Sequence, residues 1–201
     1  MRATLDGQEL QTDGGSLAAA IRAGAEAARA RSRIVIEVQV DGARIGEAAL
    51  EEPGEGPLDG EHVEMTSADP VALVRVTLFD AADALQDADA HHAASAEQIH
   101  RGDLSAAMGS ITELLATWQA VRDAVTHGSA AVGGTLDRYA TDADLGGRID
   151  ALAGLLAELR AALGANDLTR AADVVEYDLR EEGERWRGML RTIAGAMKPS
   201  D

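Results

Sequence analysis

Residues 142–197 read DADLGGRIDALAGLLAELRAALGANDLTRAADVVEYDLREEGERWRGMLRTIAGAM, and this stretch decides the fold. Leu145, Ile149, Leu152, Leu156, Leu159 and Leu163 recur at alternating steps of four and three, which places them on one stripe of a helix. After Gly164-Ala-Asn-Asp167 a second stripe follows, made of Leu168, Ala172, Val175, Leu179, Trp186, Met189, Ile193 and Met197. Gly164 suits the end of the first helix, and Asn166 or Asp167 suits the cap of the next. The pair reads as a helical hairpin. Alone it leaves much of each stripe in water, so a further apolar helix pair has to cover it.

That pair lies just upstream. At Asp69-Pro70 the hydrophobic period lengthens from two to about 3.6, with Asp69 as an N-cap and Pro70 at the first helical position, where its missing N–H costs nothing. Val71, Val74, Leu78, Ala81, Leu85, Ala88, His92, Ser95 and Ile99 then form one stripe up to Arg101-Gly102. Asp103 caps the next helix, whose stripe holds Leu104, Ala107, Ile111, Leu114, Leu115, Trp118, Val121 and Val125. Val132, Leu136 and Tyr139 stay in phase beyond it despite Gly128, Gly133 and Gly134, so this helix either persists to about Ala140 or breaks near those glycines. Thr141 to Asp144 offers a capping start for the third helix, and the fourth ends before Pro199. The expectation is an antiparallel four-helix bundle over 67–201, with helices at about 70–101, 103–140, 142–164 and 167–197. Gly102-Asp-Leu-Ser-Ala-Ala107 and Asn166-Asp-Leu-Thr-Arg-Ala171 resemble each other, as if two similar hairpins were joined.

Residues 1–66 follow a different rhythm. Extended runs at Arg2–Leu5 and Glu9–Thr12 flank Asp6-Gly7, a strong signal for a tight hairpin. Ser16 caps an alanine-rich helix carrying Leu17, Ile21 and Ala28. Ile34, Ile36, Val38 and Val40 share one face of a strand that Asp41-Gly42 turns back towards Ala43–Ile45. A Pro/Gly/Glu-rich loop from Glu51 to Gly60 precedes a last strand at His62–Thr66. The expected fold class is therefore α+β, a small β-grasp-like domain followed by the bundle; the likeness to a β-grasp is one of strand order.

Composition narrows the function. With 18 Lys and Arg against 35 Asp and Glu the formal charge is −17, which repels the phosphate backbone of nucleic acid and anionic membrane surfaces. A basic segment or a cation is the better electrostatic match, and a solvated acidic surface kept for solubility is the alternative. Aromatic residues are only 2% of the chain, so its core is aliphatic and suits close-packed helices. There is no cysteine, hence no disulfide, thiolate metal site or thiol nucleophile. Neither a signal-peptide pattern nor an apolar run of about 18 residues occurs, and the expected location is cytoplasmic.

Candidate chemistry is sparse. Asp87 and His91 stand at i and i+4, and Asp89 and His92 at i and i+3, spacings that bring side chains together on a helix. A metal-binding bundle or an enzyme built on them is the alternative, yet a carboxylate-bridged bundle needs a second Glu-x-x-His helix, and none exists. P-loop, dinucleotide fingerprint and nucleophile elbow are also missing, so no catalytic residue, metal site or cofactor is assigned. Trp118 and Trp186 sit on their stripes as core groups or as interface anchors. Around Trp186 the stripe is interrupted by Glu182 and Gly183, among Arg180, Arg185, Arg187 and Arg191, and such an interruption marks a groove or a frayed bundle end.

From Asp69 to Met197 the chain resembles the flagellin export chaperones, small helical bundles that hold unassembled flagellin. The resemblance is carried by Pro70-x-x-Leu73 and Leu78-Phe79-Asp80, by Gly102-Asp103, Gly146-Gly147 and Ile149, and by Ala165-Asn166-Asp167 ahead of Trp186. Leu78-Phe79-Asp80 stands one residue further from the proline than in that family, Ala81 replaces the glycine that usually follows, and the N-terminal sheet is foreign to it. The resemblance implies a chaperone that clamps an amphipathic helical tail in a surface groove. The expected function is thus a non-enzymatic protein-binding module, with Leu78, Phe79, Trp118, Trp186, Met189 and Arg185 as candidate partner-binding residues; the expected partner is an amphipathic helix. A self-associating structural protein is a further alternative.

Overall fold

A computed structural model describes residues 1–46, 49–50, 53, 56, 62–140 and 143–199. The chain is α+β and divides into two compact units, Met1–Leu73 and Val74–Lys198. Within the described residues, no helix is long and apolar enough to cross a membrane.

In the first unit, β1 (Arg2–Leu5) and β2 (Gln8–Leu10) are joined by Asp6-Gly7, and β3 (Ile34–Val40) and β4 (Ala43–Arg44) by Asp41-Gly42. Both residues of each turn have positive φ, as a tight hairpin whose twist matches its strands requires. Between the hairpins α1 (Leu17–Arg29) starts on Ser16, whose hydroxyl accepts from Ala19 N–H. With β5 (His62–Ala68) the described strands make a mixed sheet in the order β2-β1-β5-β3-β4, in which β1 and β5 are parallel and the other pairs antiparallel. Ala3, Leu5, Val38, Val63 and Met65 meet Leu17, Ala20 and Ala28 of α1 in the core. Gly24 lets the helix approach, since a Cβ there would stand 2.3 Å from Met65 Sδ.

The second strand is Gln8–Leu10, earlier and shorter than the expected Glu9–Thr12. The register of β3 against β5 shifts between Val35 and Glu37, so Ile34 and Ile36 do not share an inner face with Val38 and Val40. Val35 packs on the core instead, and Ile34 and Ile36 are exposed. One extra residue in a strand reverses the alternation on either side of it. Most of the expected loop Glu51–Gly60 lies outside the described residues.

From Pro70 onward the described α-helices are α2 (Pro70–Asp87), α3 (Asp89–His100), α4 (Leu104–Ala131), α5 (Leu145–Gly164), α6 (Leu168–Asp173) and α7 (Leu179–Ala196). Ala88 interrupts the expected helix 70–101 for one residue without changing its buried face, since Leu85, Ala88, His92, Ser95 and Ile99 are all buried. The expected helix 103–140 stops at Ala131, because Gly133 takes a positive φ and Leu136–Tyr139 forms a separate 3-10 turn. The third helix starts at Leu145 on an Asp144 cap rather than at 142; Thr141 and Asp142 lie outside the described residues.

The fourth is interrupted by a π turn, Val174–Asp178, in which Leu179 N–H reaches back five residues to the Val174 carbonyl. Helix α5 runs through Gly164, and it is Asn166, at positive φ, that turns the chain. The two similar segments have the same geometry. Gly102 and Asn166 take positive φ, and Asp103 and Asp167 then accept from Ala106 N–H and Arg170 N–H. Helix α3 packs on α4 and on α6 with the π turn, while α5 packs on α6, the π turn and α7.

Candidate partner-binding surface

The helical unit buries most of what its stripes foretell, and the exceptions include three residues on one flank of α4. Ala107, Ile111, Leu114, Trp118, Val121 and Val125 of α4 are buried, yet Leu104 and Leu115 of the same expected stripe are 41% and 40% exposed, and Met108 is 48% exposed. Steps of four and seven residues return to nearly the same side of a helix, so the three line one flank beside the buried stripe. From Leu104 to Val121 the only charged residue is Glu113, in a chain with 26% charged residues. Gly109 on this helix has nothing within 4 Å of where a Cβ would stand. An exposed glycine inside a helix costs about 1 kcal/mol relative to alanine, and no packing within the unit repays it. On α5, Ile149 is also 40% exposed. The sequence signal was present in the spacing of Met108 to Leu104 and Leu115; assigning both leucines to the core stripe concealed it.

The residues proposed from sequence are not gathered on one surface. Leu78, Trp118 and Trp186 are buried, the two indoles packed edge to face with centroids 5.7 Å apart. Their place is the core of the unit, and neither ring is presented to a partner. Phe79 is half-buried, with the Arg75 guanidinium 5.6 Å from its ring centre. Met189 and Arg185 do meet, in a surface concavity of about 470 Å³ that Ala143, Asp144, Arg148, Gly188 and Thr192 complete.

Behind it Glu182, only 1% exposed, receives Arg148 at 2.9 Å and Arg185 at 3.5 Å through the same oxygen, while its other oxygen is buried without a partner. The break in the stripe at Glu182 is therefore a buried ion pair. Burial of a carboxylate is tolerated because two guanidiniums neutralise it. Asp144 is already engaged, accepting from Gly147 N–H.

Asp87, Asp89, His91 and His92 do not converge. Asp87 is exposed, Asp89 pairs with Arg187 at 3.3 Å, and His92 is buried with Nδ1 2.7 Å from the Val175 carbonyl. Among the described residues no group of three His, Asp or Glu side chains is placed to hold a metal ion. The environment of His92 lowers its pKa below 6.5, chiefly because burial disfavours the charged ring, against the Val175 carbonyl and Asp89, which favour it.

No family model, curated protein or solved structure matches the chain.

Proposed function

We propose that this is a non-enzymatic protein-binding module whose helices form an antiparallel four-helix bundle, preceded by a β-grasp-like domain. Its partner is an amphipathic helix with basic flanks, held along the exposed flank of α4, as a secretion chaperone or adaptor would hold a client. The observation that carries the reading is the uncharged face with Leu104, Met108 and Leu115 exposed on it. Such faces accept the apolar side of a helix. The formal charge of −17 attracts a basic partner at long range and repels a second copy of this chain. The four rods follow in sequence with short connections, and the strand order with parallel β1 and β5 suits a β-grasp. The likeness of Asp69 to Met197 to flagellin export chaperones supports the chaperone form of the reading.

The test is fluorescence anisotropy with a labelled helical peptide bearing leucines on one face and lysines beside it. Binding that weakens with salt, and that is lost in the L104Q/M108Q/L115Q variant with its circular dichroism unchanged, is expected. Equal binding by that variant, or no binding by the wild type, overturns the proposal. So does a dimer in light scattering that the variant abolishes, because a second copy then covers the face.

A further inference from the structure

A π turn inside an α-helical rod puts its hydrogen-bond ladder one residue out of step, and such turns are frequent at functional positions. Val174–Asp178 is of this kind, and α3 grips it. The ring of His92, 2% exposed, places Nδ1 2.7 Å from the carbonyl of Val175 within the turn. The carbonyl only accepts, so Nδ1 carries the proton and Nε2 is the unprotonated nitrogen of the neutral ring. One turn before His92, Asp89 holds Arg187 of α7. Two contacts from α3 thus bracket the rod within and beyond its irregular segment.

We propose that the neutral His92 ring is a latch on the π turn, and that protonating the ring releases the turn. A second proton on the ring places a full charge in a site closed to water. The Val175 carbonyl and, on α3 itself, Asp89 favour that charge, whereas His91 and, from α7, Arg180 oppose it. Asp89 is already paired with Arg187. Of the carboxylates in the turn, Asp178 is held by Arg170 of α6 at 3.0 Å, and Glu176 is half-buried and engaged with the Tyr177 hydroxyl. Helix α4 also packs on α3, where Ser110 donates to Gln98, six residues beyond His92. The cost of burying the charge outweighs the contacts that favour it, so the imidazolium leaves for solvent and the Val175 carbonyl loses its donor.

Hydrogen exchange of the intact protein, corrected for the intrinsic pH dependence, tests the latch. Protection of residues 174–180 should fall about tenfold for each pH unit below about 6.5, while α2 and α5 stay protected. His92→Gln keeps an N–H donor that does not titrate, and its protection should be independent of pH. His92→Phe should leave the turn unprotected at every pH. Identical profiles for wild type and His92→Gln, or a protected turn in His92→Phe, overturn the proposal. Should either variant fail to fold, ring ¹⁵N shifts of wild-type His92 decide: protonation and loss of protection coincide if the latch exists and separate if it does not.

Discussion

Trp118 and Trp186 cross at 82°, the edge of one indole against the face of the other, and so join α4 to α7 through the middle of the helical unit. Both rings are buried, and both N–H groups lie buried without an acceptor. Their contribution is apolar area and ring geometry. Trp118→Ala and Trp186→Ala should each cost about 3–5 kcal/mol in urea denaturation. The double variant should show a coupling of about 0.5–1.5 kcal/mol, the worth of an aromatic pair beyond its burial. Additive costs would mean that the rings stabilise independently.

Arg148 and Arg185 share one oxygen of Glu182, and they differ in depth. Arg148 is 2.9 Å away with its side chain 29% exposed, whereas Arg185 is 3.5 Å away and 52% exposed. Arg148→Met should destabilise by about 1–3 kcal/mol, since it strands a buried carboxylate that Arg185 only partly relieves. Arg185→Met should cost less than 1 kcal/mol, as exposed pairs do. Adding Glu182→Leu to Arg148→Met should recover most of the loss. Chemical denaturation of the four proteins checks the order.

The fold was readable wherever a single stripe governs a helix. Leu78, Leu85, Ile111, Trp118, Leu152, Leu179 and Ile193 are buried as their spacing requires, and Asp103, Asp144 and Asp167 cap helices as short polar residues do. Reading failed where tertiary contacts shift a local pattern. The bulge after Val35 and the π turn at Val174 each insert a residue, and periodicity has no sign for an insertion that a neighbouring strand or histidine sustains. The candidate site was less legible. Amphipathicity tells which residues avoid water without telling whether the chain covers them, so Trp118 and Leu104 looked alike.

Among the described residues, His92 and Asp6 each add to the pH dependence of stability, in separate windows. The pKa of His92 is lowered by folding, so the unfolded chain binds the proton more tightly and stability falls as pH drops below about 6.5, until the folded ring also protonates. Asp6 acts in acid. Its carboxylate accepts from Ser67 Oγ at 2.6 Å and Ser67 N–H at 2.8 Å, which hold its pKa below 3.8. Its stabilisation is complete above that value and is lost as pH falls further. Thermal melts from pH 8 to 3 should show the upper step abolished in His92→Gln and the loss in acid slightly reduced in Asp6→Asn, slightly because Asp6 is exposed.

At Gly24 the backbone of α1 lies against the side chain of Met65 in the sheet. An alanine Cβ there would stand 2.3 Å from Met65 Sδ and 2.6 Å from Met65 Cε, and Met65 is buried. Gly24→Ala should lower stability by about 1–3 kcal/mol despite the better helix propensity of alanine. Met65→Val should relieve part of that cost in the double variant, as a thermodynamic cycle would show.

On the proposed function a partner helix lies along the open flank of α4. The most direct measurement is NMR shift mapping of the intact protein titrated with the lysine-flanked amphipathic peptide. Shifts should centre on Leu104, Met108 and Leu115, with the buried indoles of Trp118 and Trp186 little changed. Shifts confined to the Arg148, Arg185 and Met189 concavity, or spread evenly over acidic side chains, would contradict it.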